Sequence, residues 1–424
     1  MSASFETAPL RDLTERTQLW NPDRGERNRI RYIDVSSVSR QDLSIHQVLE
    51  REAATAPSRA RKVVRAHDTV FATIRPGLRR IAQVPIALDD AIVSTAFCVL
   101  RPRLQRIDPD YMFFAVTSDS FVRAVEALES GASYPAVRDS DVLDQAIPLP
   151  PLPEQRQIAA ILAAVRKSLR RNTNSLSHAS ELKHAAMRAL FTRGLRGEVQ
   201  KETEIGTSPE SWRLELLGSH FSVGSGGTPR RGVSDYWNAG SIPWVKTTEI
   251  DYGIIGTTAE HITRLGLEDS AARIYPLGTL LMAMYGQGVT RGRVARLGIE
   301  AACNQACAAM NPSDASIDTA YLFYFLTFRY EDMRHLAHGG QQQNLNMDIV
   351  RALPVSYPPA MDEQCEIVAI LDAIDKKIDL HKHKRAVLED LFKSLLHKLM
   401  TGEIRVSDLD LTALQPPMAD RASA

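Results

Sequence analysis

The sequence predicts a mixed α/β (α+β) molecule: two tandem globular lobes, each followed by a long helix, with the helices forming an antiparallel coiled coil and the whole carrying a pseudo-twofold internal repeat. Two observations predict it. First, a proline run leads into Glu-Gln twice, at Ile147-Pro148-Leu149-Pro150-Pro151-Leu152-Pro153-Glu154-Gln155 and at Leu353-Pro354-Val355-Ser356-Tyr357-Pro358-Pro359 followed by Glu363-Gln364, and each run opens a heptad pattern. Second, globular segments recur at nearly constant spacing. Tyr32 to Val38 answers Trp244 to Ile250, Asp68 to Ile74 answers Gly278 to Met284, and Ile107 to Tyr111 answers Ile317 to Tyr321, the last two pairs at one offset of 210 positions.

The repeat partitions the chain into a first lobe (1–146), a central helical spacer (147–200), a second lobe (201–355), a C-terminal helical region (356–405) and a polar, proline-bearing tail (406–424) expected to be disordered. In the first lobe, Ile92 to Leu100 is apolar and β-rich, whereas Pro109 to Leu128 has helical spacing through Tyr111, Phe114, Phe121, Val125 and Leu128. Pro148, Pro150, Pro151 and Pro153 form a stiff extended lead, and Glu154 opens the helix. Ile158 and Val165 lie on one heptad seam, Leu162, Leu169 and Leu176 on the other, with Asn172 interrupting the first. The C-terminal helix places Ile367, Ile374, His381, Leu388 and Leu395 beside Leu371, Ile378, Arg385, Phe392 and Leu399. Ile158, Leu162, Val165, Leu169, Ile367, Leu371, Ile374, Ile378 and Leu388 are therefore the expected helix-pair and subunit contacts. Arg196-Gly197-Glu198 and Thr401-Gly402-Glu403 read as matching ends, with glycine as left-handed cap. Glu154 to Gly197 is 43 positions and Glu363 to Gly402 is 39, which predicts a four-residue stutter in the first helix.

Length (424 residues) and 44% hydrophobic content suit two or more sizeable cores. No apolar run approaches a membrane span, the N-terminus carries no signal-peptide core, and four irregularly spaced cysteines argue against a disulfide framework, so a reducing cytoplasm is expected. Cys303 and Cys307 have no second ligand pair at finger spacing and read as buried thiols; no metal or other cofactor is assigned. Lys+Arg and Asp+Glu both total 51, which gives no bulk basic charge for nucleic acid. Charge is instead local: residues 147–205 hold ten basic against five acidic residues.

Catalytic signatures are missing. No Walker loop occurs, Gly224-Ser225-Gly226-Gly227-Thr228-Pro229 ends in proline where a dinucleotide loop would open its helix, and no Asn-Pro-Pro-aromatic or Asp-Pro-Pro-Tyr stands anywhere. Glu181-Leu182-Lys183 and Asp375-Lys376-Lys377 mimic fragments of a nuclease site but lie in the helices. What remains is recognition surface. Gly226, Gly227, Thr228, Arg230, Arg231, Trp244 and Lys246 combine backbone amides, cations and aromatics of the kind that grip phosphates. Tyr285, Gln287, Arg291 and Arg293 form a second such loop, and Gln342 and Asn344 supply amides able to pair with adenine. In the first lobe, Arg75, Arg79 and Arg80 suit phosphate and guanine edges; a codon bias toward arginine explains the same composition equally well.

This layout resembles the specificity subunit of type I restriction-modification systems along essentially the whole chain. The resemblance is carried by the duplicated proline run into Glu-Gln and heptads, by Thr203 to Trp212 restarting the second lobe, and by Gly226-Gly227-Thr228-Pro229 with Ile242-Pro243-Trp244-Val245. The first lobe lacks both of the latter motifs. The resemblance implies a non-catalytic, prokaryotic subunit whose lobes are target recognition domains, each reading half of a split site in double-stranded DNA. It also implies helices that set the spacing and dock methyltransferase subunits, two in number, with restriction subunits completing the complex. A helix of about 40 residues spans about 60 Å, or about 17 base pairs. Two rivals compete: a coiled-coil scaffold whose lobes bind proteins, and an enzyme built on scattered polar residues such as His67 and Asp68, which has no motif behind it. A methylation-only or fused methyltransferase-nuclease setting fits the same sequence.

Overall fold

The computed structural model describes residues 5–22, 27–131, 133–286, 289–336 and 344–409. The chain divides into two compact units, residues 1–174 with 382–424 and residues 175–381. The division runs through both long helices, Leu152–Arg193 and Met361–Thr401. Each unit thus holds one lobe, the first half of the helix leaving it and the last half of the other helix.

In the first unit an antiparallel sheet runs in the order Thr14–Glu15, Phe97–Pro102, Thr69–Ala72, Ile81–Gln83. A second sheet runs Leu49–Glu52, Arg29–Ile33, Ile92–Ser94, Ala60–Val63, its central pair parallel. The β-rich run from Ile92 to Leu100 forms two strands in different sheets, turning at Thr95 and Ala96. The helical stretch from Pro109 is likewise two helices, Pro109–Thr117 and Asp119–Glu126, because Ser118 leaves helical geometry (ψ 149°) and caps the second through Phe121 N.

The second unit repeats this topology. Its larger sheet runs Phe221–Ser225, Cys307–Pro312, Leu280–Ala283, Val294–Leu297, with Ile254–Ile255 added at the edge. Its smaller sheet runs Glu260–Ile262, Ile242–Val245, Ala301–Cys303, Ile274–Tyr275 with the same parallel centre. Tyr32 and Trp244 occupy equivalent places, opposite Ile92 and Ala302. The 210-residue offset holds for Asp108 and Asp318, which cap their helices through the amides of residues two and three positions on. It fails by one residue in the central strand: Thr69 faces Leu100 as Leu280 faces Met310, an offset of 211. The side chains agree, since Phe71 and Met282 both face the core that includes the helices.

The long helices pack antiparallel within each unit. Ile158 and Leu162 share a core with Leu396, Leu399, Met400 and the first lobe. Ile367 and Leu371 share one with Met187, Phe191 and the second lobe. These heptad residues therefore hold lobe to helix as well as helix to helix. Val165 and Ile378 are also buried, whereas Leu169, Ile374 and Leu388 are half-buried. Lys183 and Asp375, from the two fragments that mimic a nuclease site, form an ion pair between the helices (2.6 Å), and Tyr324 Oη donates to Asp375 and Asp372.

The expected four-residue stutter is corrected. The helices have 42 and 41 residues, and the cap matching Gly402 (φ 73°) is Gly194 (φ 66°), not Gly197. Residues 194–197 form a turn beyond the helix. Nor does order stop at Thr401: Val406 is buried in the first core, and Arg405 Nη1 reaches both carboxylate oxygens of Glu154 (3.2 Å). Order thus extends past the expected start of the tail at 406; residues 410–424 lie outside the described residues.

In the second unit His220 sits between Asp314 (Nδ1, 2.9 Å) and Glu215 (on Nε2), beside the Tyr357 ring. Burial alone would push the imidazole down, but bonds to Asp314 and Glu215 override it and raise its pKa. A raised histidine stabilises the fold below about pH 6.5, and that contribution disappears as pH rises through the higher folded value. Glu215 and Asp314 are lowered, so their contribution is present above about pH 4 and lost on acidification. The unit is expected to melt highest between those limits. His220→Gln should flatten the fall in Tm between pH 6 and 8; an unchanged profile would remove the cluster from the explanation.

Candidate nucleic-acid interface

The arginines singled out in the first lobe and the second-lobe loop around Tyr285 belong to one element of the fold. Strand Thr69–Ala72 returns as Ile81–Gln83 through residues 73–80, and Leu280–Ala283 returns as Val294–Leu297 through 284–293. The amides of Ala72 and Ala283 bind the carbonyls of Arg80 (3.1 Å) and Arg293 (2.9 Å), which makes those arginines equivalent. Both turn inward. Arg80 Nη1 donates to the carbonyls of Val35 and Val38 (2.8 Å each), and Arg293 Nη1 pairs with Asp251 (2.6 Å). Arg79 ion-pairs with Asp119, and Arg291 is buried. Arg27, Arg31, Arg59 and Arg101 also serve internal carbonyls or carboxylates, so much of this lobe's arginine content holds loops together.

Other side chains face outward. At the first hairpin tip these are Arg75, Leu78 and, across a backbone bond from Arg75 N to Pro135 O (2.9 Å), Tyr134, which is 77% exposed. The Arg75 guanidinium lies 5.9 Å from the Tyr134 ring centre. At the second tip they are Tyr285, Val289 and Asn344. Leu345 N binds Met284 O (3.1 Å) as Val137 N binds Thr73 O (2.9 Å), so the segment at Asn344 and Leu345 is the counterpart of the segment leading to Val137, which includes Tyr134. Gln287 and Gln342 lie outside the described residues.

In the second lobe two of the three candidate segments, the hairpin and the glycine loop, meet at the turn Asn304 to Ala306, while the segment at Leu345 joins the hairpin at Met284. Met284 N binds Ala306 O (2.8 Å), Ser225 Oγ binds Gln305 O (3.0 Å), and Thr228 Oγ1 donates to the Gln305 side chain. Gln305 is exposed at this junction, and sequence reasoning missed it together with Tyr134. Aligning Val137 with Leu345 would have found Tyr134; nothing local marks Gln305.

The glycine loop itself is corrected. A Cβ on Gly226 would stand 1.8 Å from Cys303 O, and one on Gly227 2.4 Å from the Ala271 backbone. Gly227 donates its amide to Cys303 O (2.9 Å) and accepts from Trp244 Nε1 (2.9 Å). These glycines serve close packing, the Gly227 amide is already taken by Cys303 O, and Trp244 is a core residue. Arg231 stacks 3.9 Å from the Trp237 ring centre and pairs with Glu260 (2.8 Å), whose other oxygen takes Lys246 (3.2 Å). Arg231, then Lys246, holds the Glu260 carboxyl below its usual range. One positive charge of that trio is therefore uncompensated, and Arg230 stands exposed next to it.

The family model for the type I restriction modification DNA specificity domain matches residues 62–177 and 209–390, once through each lobe and into the helix that follows. The chain belongs to that family. A putative type I restriction enzyme MjaX specificity subunit from Methanocaldococcus jannaschii is 24% identical over 319 residues, 73% of this chain and 71% of the relative. The MjaVIII specificity subunit of the same organism is 24% identical over 330 residues, 75% and 76% respectively. A chain from a type I restriction-modification structure, determined for its complex assembly and conformational transition, superimposes with a TM-score of 0.60 at 25% identity, covering 95% of this chain and 98% of that one. A type I specificity subunit is the non-catalytic component that recognises DNA. Cys303 and Cys307 are buried between the two sheets of the second lobe, where their neighbours and burial push the Cys307 thiol well up. No described helix is long and apolar enough to cross a membrane.

Proposed function

We propose that the chain reads an asymmetric, bipartite site in double-stranded DNA, one half per lobe. Its helices fix the unread gap and dock two methyltransferase subunits and the restriction subunits in a prokaryotic cytoplasm. The observation that carries this reading is the shared hairpin: one fold element is presented by both lobes with unlike tips, Arg75, Leu78 and Tyr134 in the first and Tyr285, Val289 and Asn344 in the second. Equal frames with different side chains suit unlike half-sites. The test is to express the chain with its methyltransferase subunit and map methylated bases by single-molecule sequencing. A split, asymmetric motif with one gap length supports the reading; no new methylation from an assembled complex supports a protein-binding scaffold.

Arg230→Ala should weaken DNA binding and make the slope of log K against log salt shallower by about 1, one phosphate contact's worth. Arg231→Ala should in addition cost stability, because it strips the stack from Trp237 and leaves Glu260 with Lys246 alone. Equal salt slopes for wild type and Arg230→Ala would exclude a phosphate at that position.

A further inference from the structure

We propose that Gln155 and Gln364 are positioning residues: each fixes the angle at which a lobe leaves its long helix and thereby the gap between half-sites. This rests on the bipartite reading above. Both side chains are buried, at 1% and 0% exposure, in the first turns of the two helices. Gln155 Oε1 accepts from Asp108 N (2.8 Å), while Nε2 donates to Arg106 O (3.2 Å) and Pro150 O (2.8 Å). Gln364 repeats the set with Asp318 N (2.8 Å), Ser316 O (2.8 Å) and Pro358 O (3.0 Å). A tyrosine one turn into the lobe helix closes the same corner, Tyr111 Oη to Pro148 O (2.9 Å) and Tyr321 Oη to Ser356 O (2.7 Å).

The chemistry explains why glutamine stands here. The corner presents one amide and two carbonyls from two separate backbone segments, and only a carboxamide supplies an acceptor and two donors together. The segments are the loop capping helix Pro109–Thr117, or Thr319–Phe328 in the second lobe, and the proline run, the covalent path from lobe to helix. The glutamine cross-braces that path, turning a stiff but hinged linker into a fixed corner. At 3.4 Å per base-pair step, a comparable displacement of a reading surface changes the gap by one base pair. The duplication adds weight: the clasp survives in both units, although the loops that face outward have diverged.

The experiment uses the full chain with its methyltransferase subunits and compares methylated-base maps for wild type, Gln155→Ala, Gln364→Ala, the double variant and Gln155→Glu. The expected result is unchanged half-site bases with methylation spreading to sites whose gap differs by one base pair, roughly tenfold above wild type in the double variant. Gln155→Glu, which turns a carboxylate oxygen onto the carbonyls of Arg106 and Pro150, should spread at least as much as Gln155→Ala. Methylation confined to the wild-type gap, at whatever level, overturns the proposal, as does failure of every variant to assemble, since the clasp would then serve folding alone. A wild type without any split motif would sink the bipartite reading first, and is told apart because it needs no variant.

Discussion

Removing Thr173–Leu176 from the first long helix should shorten the gap in the methylated motif by one or two base pairs and leave the bases of both half-sites unchanged. Four residues carry about 6 Å of helix, which is just under two base-pair steps. They also carry about 400° of rotation, so the seam beyond the deletion is displaced by only about 40° and can re-form. The segment is suited to the test because it includes no member of either buried core; Thr173 and Leu176 are half-buried and Asn172 beside it is buried. The readout is the methylated-base map of cells carrying the deletion. A motif with its original gap would show that the helices do not act as the ruler; altered half-site bases would show that the lobes' reading surfaces had been disturbed.

The duplicated architecture was legible because residues that satisfy backbone groups repeat with their spacing. Asp108 and Asp318 cap the same helix, and Gln155 and Gln364 close the same corner, each a chemical necessity that divergence has spared. The one-residue slip in the central strand was not legible. All of Thr69–Ala72 and Leu280–Ala283 is buried, so no alternation of polar and apolar residues fixes which face is which. Helix ends misled for a similar reason: Gly194 and Gly197 both adopt left-handed backbone, and sequence does not tell a helix cap from the turn three residues later.

Sequence separated the candidate segments but not the roles of their side chains. The hairpin at 284–293 and the loop before Arg231 both contact the turn at Gln305, and Leu345 joins the hairpin at Met284. Within them Gly226, Gly227 and Trp244 are packing residues and Arg80 and Arg293 are braces. A glycine required for close approach of two backbones looks the same in sequence as one required for a phosphate, and an arginine bound to carbonyls looks the same as one bound to guanine.

The largest stability effect is expected where the two lobes solve one packing problem differently. Asp68 (1% exposed) and Arg101 form a buried forked ion pair, Nε to Oδ1 3.1 Å and Nη2 to Oδ2 2.8 Å; Asp68 also accepts from Arg65 N and Arg101 donates to Val63 O. The structural equivalents, one strand offset of 211 and one of 210 away, are Thr279 and Asn311, joined by a neutral hydrogen bond of 2.7 Å. Burial raises the Asp68 pKa in spite of the guanidinium, so this carboxyl's titration favours the fold in acid and that contribution is lost as pH rises through the folded value. Removing one partner of this buried pair should cost far more than replacing both. Asp68→Ala strands a buried guanidinium and is expected to lose about 3–5 kcal/mol. Asp68→Thr with Arg101→Asn, which installs the second lobe's solution, should lose less than about half of that, leaving a large coupling term in the double-mutant cycle. Amide exchange in strand Thr69–Ala72 reports on the first lobe alone and so isolates the effect. Additive losses would mean that the two lobes' cores are not interchangeable at this position and that the ion pair stabilises the first lobe in its own right.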